Sequence, residues 1–234
     1  RPNLSIGDTL AGLHAVIGTL FALLGRGKLD GRGQVVDVAI YESVFNLMEG
    51  VVPEYSGAGV KREPSGSTLT GIVPTNTYLC ADGKHVVIGA NGDSLFVRLM
   101  EKAGRPDMAE DPRFANNAGR VKHEQEIDKA ISAWTASLPA VDVLAAMDEA
   151  AVPAGPIYSV EDIFRDPHYR ARGMIETVHY GDKALDVPGL PPLLSDTPGA
   201  TEWAGPELGE HTDEVLGALL SEEEIVRLRE RGII

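Results

Sequence analysis

The stretch GDTLAGLHAVIGTLFALLGRGKLDGRGQVVDVAIYESV, residues 7–44, decides how this chain is read. Leu10, Leu13, Val16, Ile17, Leu20, Phe21 and Leu24 recur at helical spacing, which predicts a helix over 9–24. Ala11, Ala15, Gly18 and Ala22 add a small-residue stripe on which another backbone can pack closely. Apolar residues nearly all round imply burial on several sides. Gly25-Arg26-Gly27-Lys28 ends the helix, and Gly31-Arg32-Gly33 continues the turn. Residues 34–40, QVVDVAI, then read as a buried strand, with Asp37 expected to pair with backbone or a nearby Arg. A second helix is expected over 41–50.

Asp8 stands at the head of the first helix, between Gly7 and the apolar run. Asp is a favoured N-cap, because its carboxylate accepts a bond from an N–H of the first turn. The same position suits a nucleophilic carboxylate, since oriented N–H groups at a helix start favour its negative charge. One geometry can serve both roles, and Gly7 permits close approach.

Further along, 53–71 is rich in glycine and proline and has no clear period, so it reads as a linker or a functional loop. It contains Ser65-Gly66-Ser67-Thr68-Leu69-Thr70-Gly71. A second unit begins near Ile72. Strands over 75–80 and 85–90 flank Ala81-Asp82-Gly83-Lys84, a hairpin signal. Helices are expected over 94–103, 122–137 and 140–150, punctuated by Pro106, Asp111-Pro112 and Pro139. Residues 152–159, VPAGPIYS, read as a rigid extended turn. A short helix over 160–165 and a strand over 174–180 follow. The stretch 188–206, rich in Pro and Gly, reads as a linker. Two helices close the chain, the last opened by the capping box Ser221-Glu222-Glu223-Glu224. Asp93 reads as the cap of the helix that follows it, and His211 as a helix-start residue that can order the return of the chain.

The chain has 234 residues, a net charge of −14 at pH 7 and a pI near 4.8. That balance argues against nucleic-acid binding. Hydrophobic and charged contents of 43% and 24% are those of a soluble globular protein. The lone Cys80 excludes an internal disulfide and fits a reducing cytosol. The apolar run 10–24 falls short of the roughly 20 residues of a membrane span. No small-residue cleavage site follows it, so a buried soluble helix is expected. The histidines lack metal spacing, and Gly25-Arg26-Gly27-Lys28 lacks the spacing of a phosphate loop. The first helix is too apolar for the partner surface this chain offers. Preceding sequence or a wrapped subunit must cover it.

The stretch 7–44 resembles the family III CoA-transferases, the group related to formyl-CoA and carnitine CoA-transferases. Later stretches agree in order and spacing: YLCADGKHVVIGANGDSLF (78–96), DPRFANNAGRVKH (111–123), VPAGPI (152–157), DPHYRARGM (166–174) and GEHTDEVL (209–216). The resemblance spans essentially the whole chain.

It implies an α/β fold: part of a Rossmann-like large domain plus a small α/β domain, in an interlocked homodimer. In that scheme 1–52 is the large-domain segment with the nucleophile helix and 53–71 a linker or loop. Residues 72–181 form the small domain, 182–206 a linker, and 207–234 the return to the large domain. The N-terminal half of the family fold, with most CoA contacts, is absent. The resemblance makes Asp8 the nucleophile that attacks an acyl-CoA thioester and ends as an aspartyl-CoA thioester. It makes 65–71, with Gly66 and Gly71, the candidate lid, although the loop departs from the all-glycine version of formyl-CoA transferase. The partners implied are acyl-CoA and a small carboxylic acid, with CoA as substrate rather than bound cofactor. No metal, nucleic acid or membrane is implied, and the location is cytoplasmic. Two other readings stand beside it. One is a racemase related to α-methylacyl-CoA racemase, in which an acid/base pair moves an α-proton and Asp93 would have to replace a missing Glu. The other is a non-catalytic binding protein.

Overall fold

A computed structural model describes residues 3–234. The apolar run forms α1 (Ile6–Gly25), starting three residues before the predicted Thr9. Ser5 is its N-cap residue, and the Thr9 N–H and hydroxyl both donate to the Ser5 carbonyl, at 3.0 and 3.1 Å. A 3-10 turn over Arg26–Leu29 ends it, with Asp30 in the left-handed region. Contrary to the burial expected from its composition, no residue of α1 is buried among the described residues. Leu13, Val16, Leu20, Phe21 and Leu24 are all exposed. With its 3-10 extension, Ile6–Leu29 is the single unbroken helix of the described residues long and apolar enough to cross a membrane.

The predicted strand over 34–40 does not form. Residues 32–39 are irregular, and Asp37 is exposed rather than buried. The reason is the want of a neighbour, because a strand needs an adjacent strand to pair its N–H and C=O groups. The sheets of the described residues pair other segments. The segment lies along α1 instead, where a Cβ on Gly18 would come within 2.8 Å of Val36 Cγ1. The second helix is shorter than predicted, α2 (Ile40–Phe45). It packs on α1 near Gly7, whose added Cβ would meet Ile40 Cγ2 at 3.0 Å. The region read as a linker from Pro53 opens with α3 (Val51–Ala58). Pro53 is tolerated because it lies in the first turn, where its missing N–H has no helical partner to lose. Gly59, at φ +66°, ends the helix.

The hairpin forms as predicted. β1 (Thr75–Leu79) and β2 (His85–Gly89) pair antiparallel, Thr75 opposite Gly89 and Leu79 opposite His85. Gly83 takes φ +78° at the tip, and Asp82 accepts from the Lys84 N–H at 3.3 Å. The expected extended turn after Val152 includes β3 (Ala154–Pro156), which joins the free edge of β2. Helices α4 (Asp93–Lys102), α7 (Glu124–Thr135) and α8 (Ala140–Glu149) close a core on this sheet. Between α4 and α7 lie α5 (Pro106–Ala109) and α6 (Asn117–Lys122), separated by a 3-10 turn at Pro112–Phe114. Tyr78, Val86, Ile88, Phe96, Leu99, Ile127, Ile131, Val143 and Met147 fill the interior. Each such side chain contributes roughly 1.5–3 kcal/mol on burial.

Two compact units are resolved, Arg1–Gly155 and Pro156–Ile234. The second holds α9 (Val160–Arg165), α10 (Pro167–Ala171) and the hairpin β4 (Ile175–Tyr180) with β5 (Lys183–Pro188). It closes with α11 (Thr212–Gly217) and α12 (Glu222–Glu230). β5 falls within a stretch read as linker, and Gly181-Asp182 supplies its turn, with Gly181 at φ +56°. The capping box at Ser221 and Glu224 closes as predicted, and an equivalent box at Ser159 and Asp162 opens α9.

Candidate active site

Asp8 is the third residue of α1, not its cap. The helix starts two residues before it, so the carboxylate lies in the first turn and is exposed. Among the described residues its carboxylate has no hydrogen-bond partner. At that position the carboxylate lies in the field of the unpaired N–H groups of the first turn.

The neighbourhood of Asp8 is built by α1 and α2. Gly7 admits Ile40, with Val44 Cγ2 a further 3.6 Å contact for an added Cβ. Two turns on, His14 Nδ1 lies 2.8 Å from the Leu10 carbonyl, and its Nε2 lies 3.2 Å from Asn46 Nδ2. The pattern assigns the proton to Nδ1, because Nε2 faces a donor. His14 thus ties α1 to the turn after α2. A cleft of about 320 Å³ opens beside it, lined by His14, Gly18, Asp37, Glu42, Ser43 and Asn46 among others. Ser43 is buried and donates to the Ala39 carbonyl at 3.0 Å. Sequence reading left His14 and Asn46 out of the site region, since their pairing depends on how α2 folds back.

The loop of Gly66 and Gly71 follows α3 in the same unit. Both glycines take positive φ, +68° and +83°, and an added Cβ on either would meet nothing within 4 Å. Upstream, Arg62 Nε donates to Glu54 Oε2 at 2.8 Å, and this guanidinium holds the Glu54 carboxyl below the usual carboxylate range. Among the described residues no hydrogen bond or ion pair joins the loop to Asp8.

Asp93 is not the cap of α4. Gly92 holds that position, and the Asp93 carboxylate accepts from Arg120 Nη2 at 2.8 Å. Arg120 is fully buried and lies over the Phe96 ring, its Cζ 5.1 Å from the centroid. His211 is the residue before α11, and its ring meets Trp203 edge-on at 6.3 Å between centroids. Among the described residues no three His, Cys, Asp or Glu side chains cluster as a metal would require.

A model of CoA-transferase family III matches residues 1–212. The chain belongs to this family. The family's relatives include a succinyl-CoA–D-citramalate CoA-transferase of Chloroflexus aurantiacus, 43% identical over the whole of this chain. The succinyl-CoA–L-malate CoA-transferase beta subunit of the same organism is 36% identical over 98% of it. This chain spans 59% and 58% of the lengths of those two relatives. Among solved structures, a CAIB/BAIF family protein from Brucella suis superposes with a TM-score of 0.77 at 28% identity. It covers 94% of this chain, and the match takes in 57% of that protein.

Proposed function

We propose that the protein carrying this chain moves CoA from an acyl-CoA donor to a small carboxylic acid, with Asp8 as the covalent carrier. The observation that carries the reading is a carboxylate in the first turn of α1 with no hydrogen-bond partner among the described residues, in a chain matched to CoA-transferase family III over residues 1–212. The named relatives support succinyl-CoA as donor and a small dicarboxylate as acceptor.

The steps balance without a net proton. An Asp8 oxygen attacks the thioester carbonyl, a C–O bond forms, the C–S bond breaks, and CoA leaves as thiolate. The thiolate attacks Asp8 Cγ of the resulting anhydride, and the donor acid departs as carboxylate. Asp8 is now an aspartyl-CoA thioester. The acceptor carboxylate attacks it, thiolate leaves again, and thiolate then takes the acceptor's acyl carbon and frees Asp8. Each step passes negative charge between oxygen and sulfur. Free N–H groups at a helix start stabilise that charge best when water is excluded.

Residues 1–52, in this reading, contribute to a large domain completed by other sequence, with 72–181 as the small domain. A second copy of the protein covers the exposed apolar face of α1. Such cover fits a cytoplasmic enzyme. The loop of Gly66 and Gly71 covers the nucleophile during turnover, CoA is a substrate rather than a resident cofactor, and no metal takes part. A racemase with Asp93 as base is disfavoured, because that carboxylate is engaged by Arg120.

The test uses the natural gene product with succinyl-CoA and a panel of dicarboxylates. Borohydride or hydroxylamine traps the acyl-enzyme, and mass spectrometry reads the peptide that contains Asp8. Modified Asp8, with transfer and trapping both lost in Asp8→Ala, is expected. Exchange of substrate α-protons in heavy water with no modified Asp8 refutes the proposal.

A further inference from the structure

The loop 65–71 is held unequally along its length. Its outgoing end is fixed by Asn117 of α6. Asn117 Nδ2 donates to the Gly71 carbonyl at 2.8 Å, and its Oδ1 accepts from the Val73 N–H at 3.0 Å. One helical turn on, Arg120 Nε donates to the Val73 carbonyl at 2.9 Å. These bonds bracket Ile72 from both sides. The body of the loop is held by less. Ser65 Oγ and Thr68 Oγ1 each donate to the other's carbonyl at 3.1 Å, which closes the turn on itself. Outward it has a backbone bond from the Ile72 N–H to the Leu69 carbonyl at 3.1 Å, a long one from the Leu69 N–H to the Thr75 carbonyl at 3.4 Å, and a short side-chain bond from Ser67 Oγ to Asn76 Oδ1 at 2.6 Å.

The acceptor for Ser67 is set from the core. Tyr78 is buried on β1, and its hydroxyl donates to Asp128 Oδ1 at 2.6 Å. The other oxygen of Asp128 accepts from Asn76 Nδ2 at 2.9 Å. An amide whose nitrogen faces a carboxylate must turn its oxygen the other way, toward Ser67. Tyr78, Asp128 and Asn76 thereby present one fixed acceptor to an exposed hydroxyl. Gly66 and Gly71 lie on either side of that contact, both at positive φ and both without steric neighbours.

We propose that residues 65–70 form a strap that swings about a fixed post, Asn117, and is held down by one side-chain catch, Ser67 on Asn76, beside the long Leu69–Thr75 backbone bond. Asn117 is then a positioning residue that sets where the strap pivots, and Ser67 sets how often it is released. Only the kinetic consequence of this device rests on the reading of the loop as the cover of Asp8.

Hydrogen exchange of the gene product tests it, read by mass spectrometry on peptides covering 60–80. Ser67 is exposed, so Ser67→Ala leaves the fold intact. Its exchange over 65–70 should rise about fivefold, the effect of one net hydrogen bond, while the Val73 N–H held by Asn117 keeps its protection. Asn117→Ala should lose protection at Val73 as well. If Asn117→Ala does not fold, Ser67→Ala decides alone. Unchanged exchange over 65–70 in Ser67→Ala overturns the proposal. The same variants are assayed for CoA transfer, where a change in kcat larger than that in KM is expected. Faster exchange with kcat and KM both unaltered upholds the strap and removes the cover reading.

Discussion

Arg120 ties four separate segments of the first unit together, and its replacement has a calculable effect. Its guanidinium donates to the carbonyls of Val73 at 2.9 Å, Phe114 at 3.0 Å and Asn91 at 2.6 Å, and to Asp93. Val73 and Phe114 are each 1% exposed, whereas Asn91 and Asp93 lie at the surface. In Arg120→Met the aliphatic bulk over Phe96 is largely kept. Asp93 and the Asn91 carbonyl turn to water, but the two buried carbonyls cannot. Each orphaned carbonyl costs about 2 kcal/mol, so the variant loses about 4 kcal/mol. At about 1.4 kcal/mol per factor of ten, opening of the unit becomes about a thousandfold more frequent. Cys80 reports that opening. It is 3% exposed, is the lone cysteine of the chain, and has a thiol held above its ordinary pKa by burial and by Asp82. A thiol reagent therefore reaches it as a thiolate chiefly when the core opens. Labelling of the Cys80 peptide should accelerate about a thousandfold in Arg120→Met. In Arg120→Lys, which keeps charge but leaves about one carbonyl unbonded, the factor should be about thirtyfold. An Arg120→Met variant labelled at the parent's rate would refute the reasoning, because the two carbonyls would then be satisfied some other way.

Three further predictions concern stability. A Cβ on Gly119 would lie 2.2 Å from the Arg113 carbonyl oxygen, and backbone there cannot give way. Gly119→Ala should therefore cost about 1–3 kcal/mol in urea unfolding. Gly18→Ala, which meets only the Val36 Cγ1 methyl at 2.8 Å, should be close to neutral because that rotamer can turn. Asp111 accepts from the Arg113 backbone at 2.8 Å and from its guanidinium, and this neighbour holds its carboxyl below the ordinary range. A depressed folded-state pKa stabilises above the unfolded value, about 3.9, and that gain is lost as pH falls through the folded one. The urea midpoint of the parent should fall with pH below about 4, and Asp111→Asn should flatten that fall.

The parts of the fold legible in the sequence are those whose partners are close along the chain. The β1–β2 hairpin could be read because Asp82-Gly83 fixes its turn and the β-branched run Val86-Val87-Ile88 favours a strand beside it. The helices α4, α7 and α8 could be read because each carries its own apolar stripe and its own stops. The 34–40 stretch failed because its Val-rich composition states a preference for burial and not the presence of a neighbouring strand. β5 was hidden for the opposite reason. Lys183-Ala184-Leu185-Asp186 shows little alternation, and only pairing with β4 makes it a strand. α3 was hidden because Pro53 reads as a breaker unless it is known to fall in a first turn. The Arg120 clamp was likewise invisible, since it joins Val73, Asn91, Asp93 and Phe114, which only the fold assembles.

The site shows the same division with a chemical consequence. Asp8 was legible as a carboxylate at a helix start, but not its place within the first turn. That place separates its two possible roles. A capping carboxylate accepts a bond from an N–H of the first turn, and each such bond lowers the basicity of the oxygen that must attack a thioester. With Ser5 at the cap position and the Thr9 N–H directed to the Ser5 carbonyl, the helix start is organised without the Asp8 side chain. At the third helical position the carboxylate still lies in the positive field of the helix start. Its lone pairs stay free of any protein donor among the described residues. A residue required only as a cap gains nothing from that arrangement. The nucleophilic role proposed for Asp8 does, because its oxygens are left able to bond carbon.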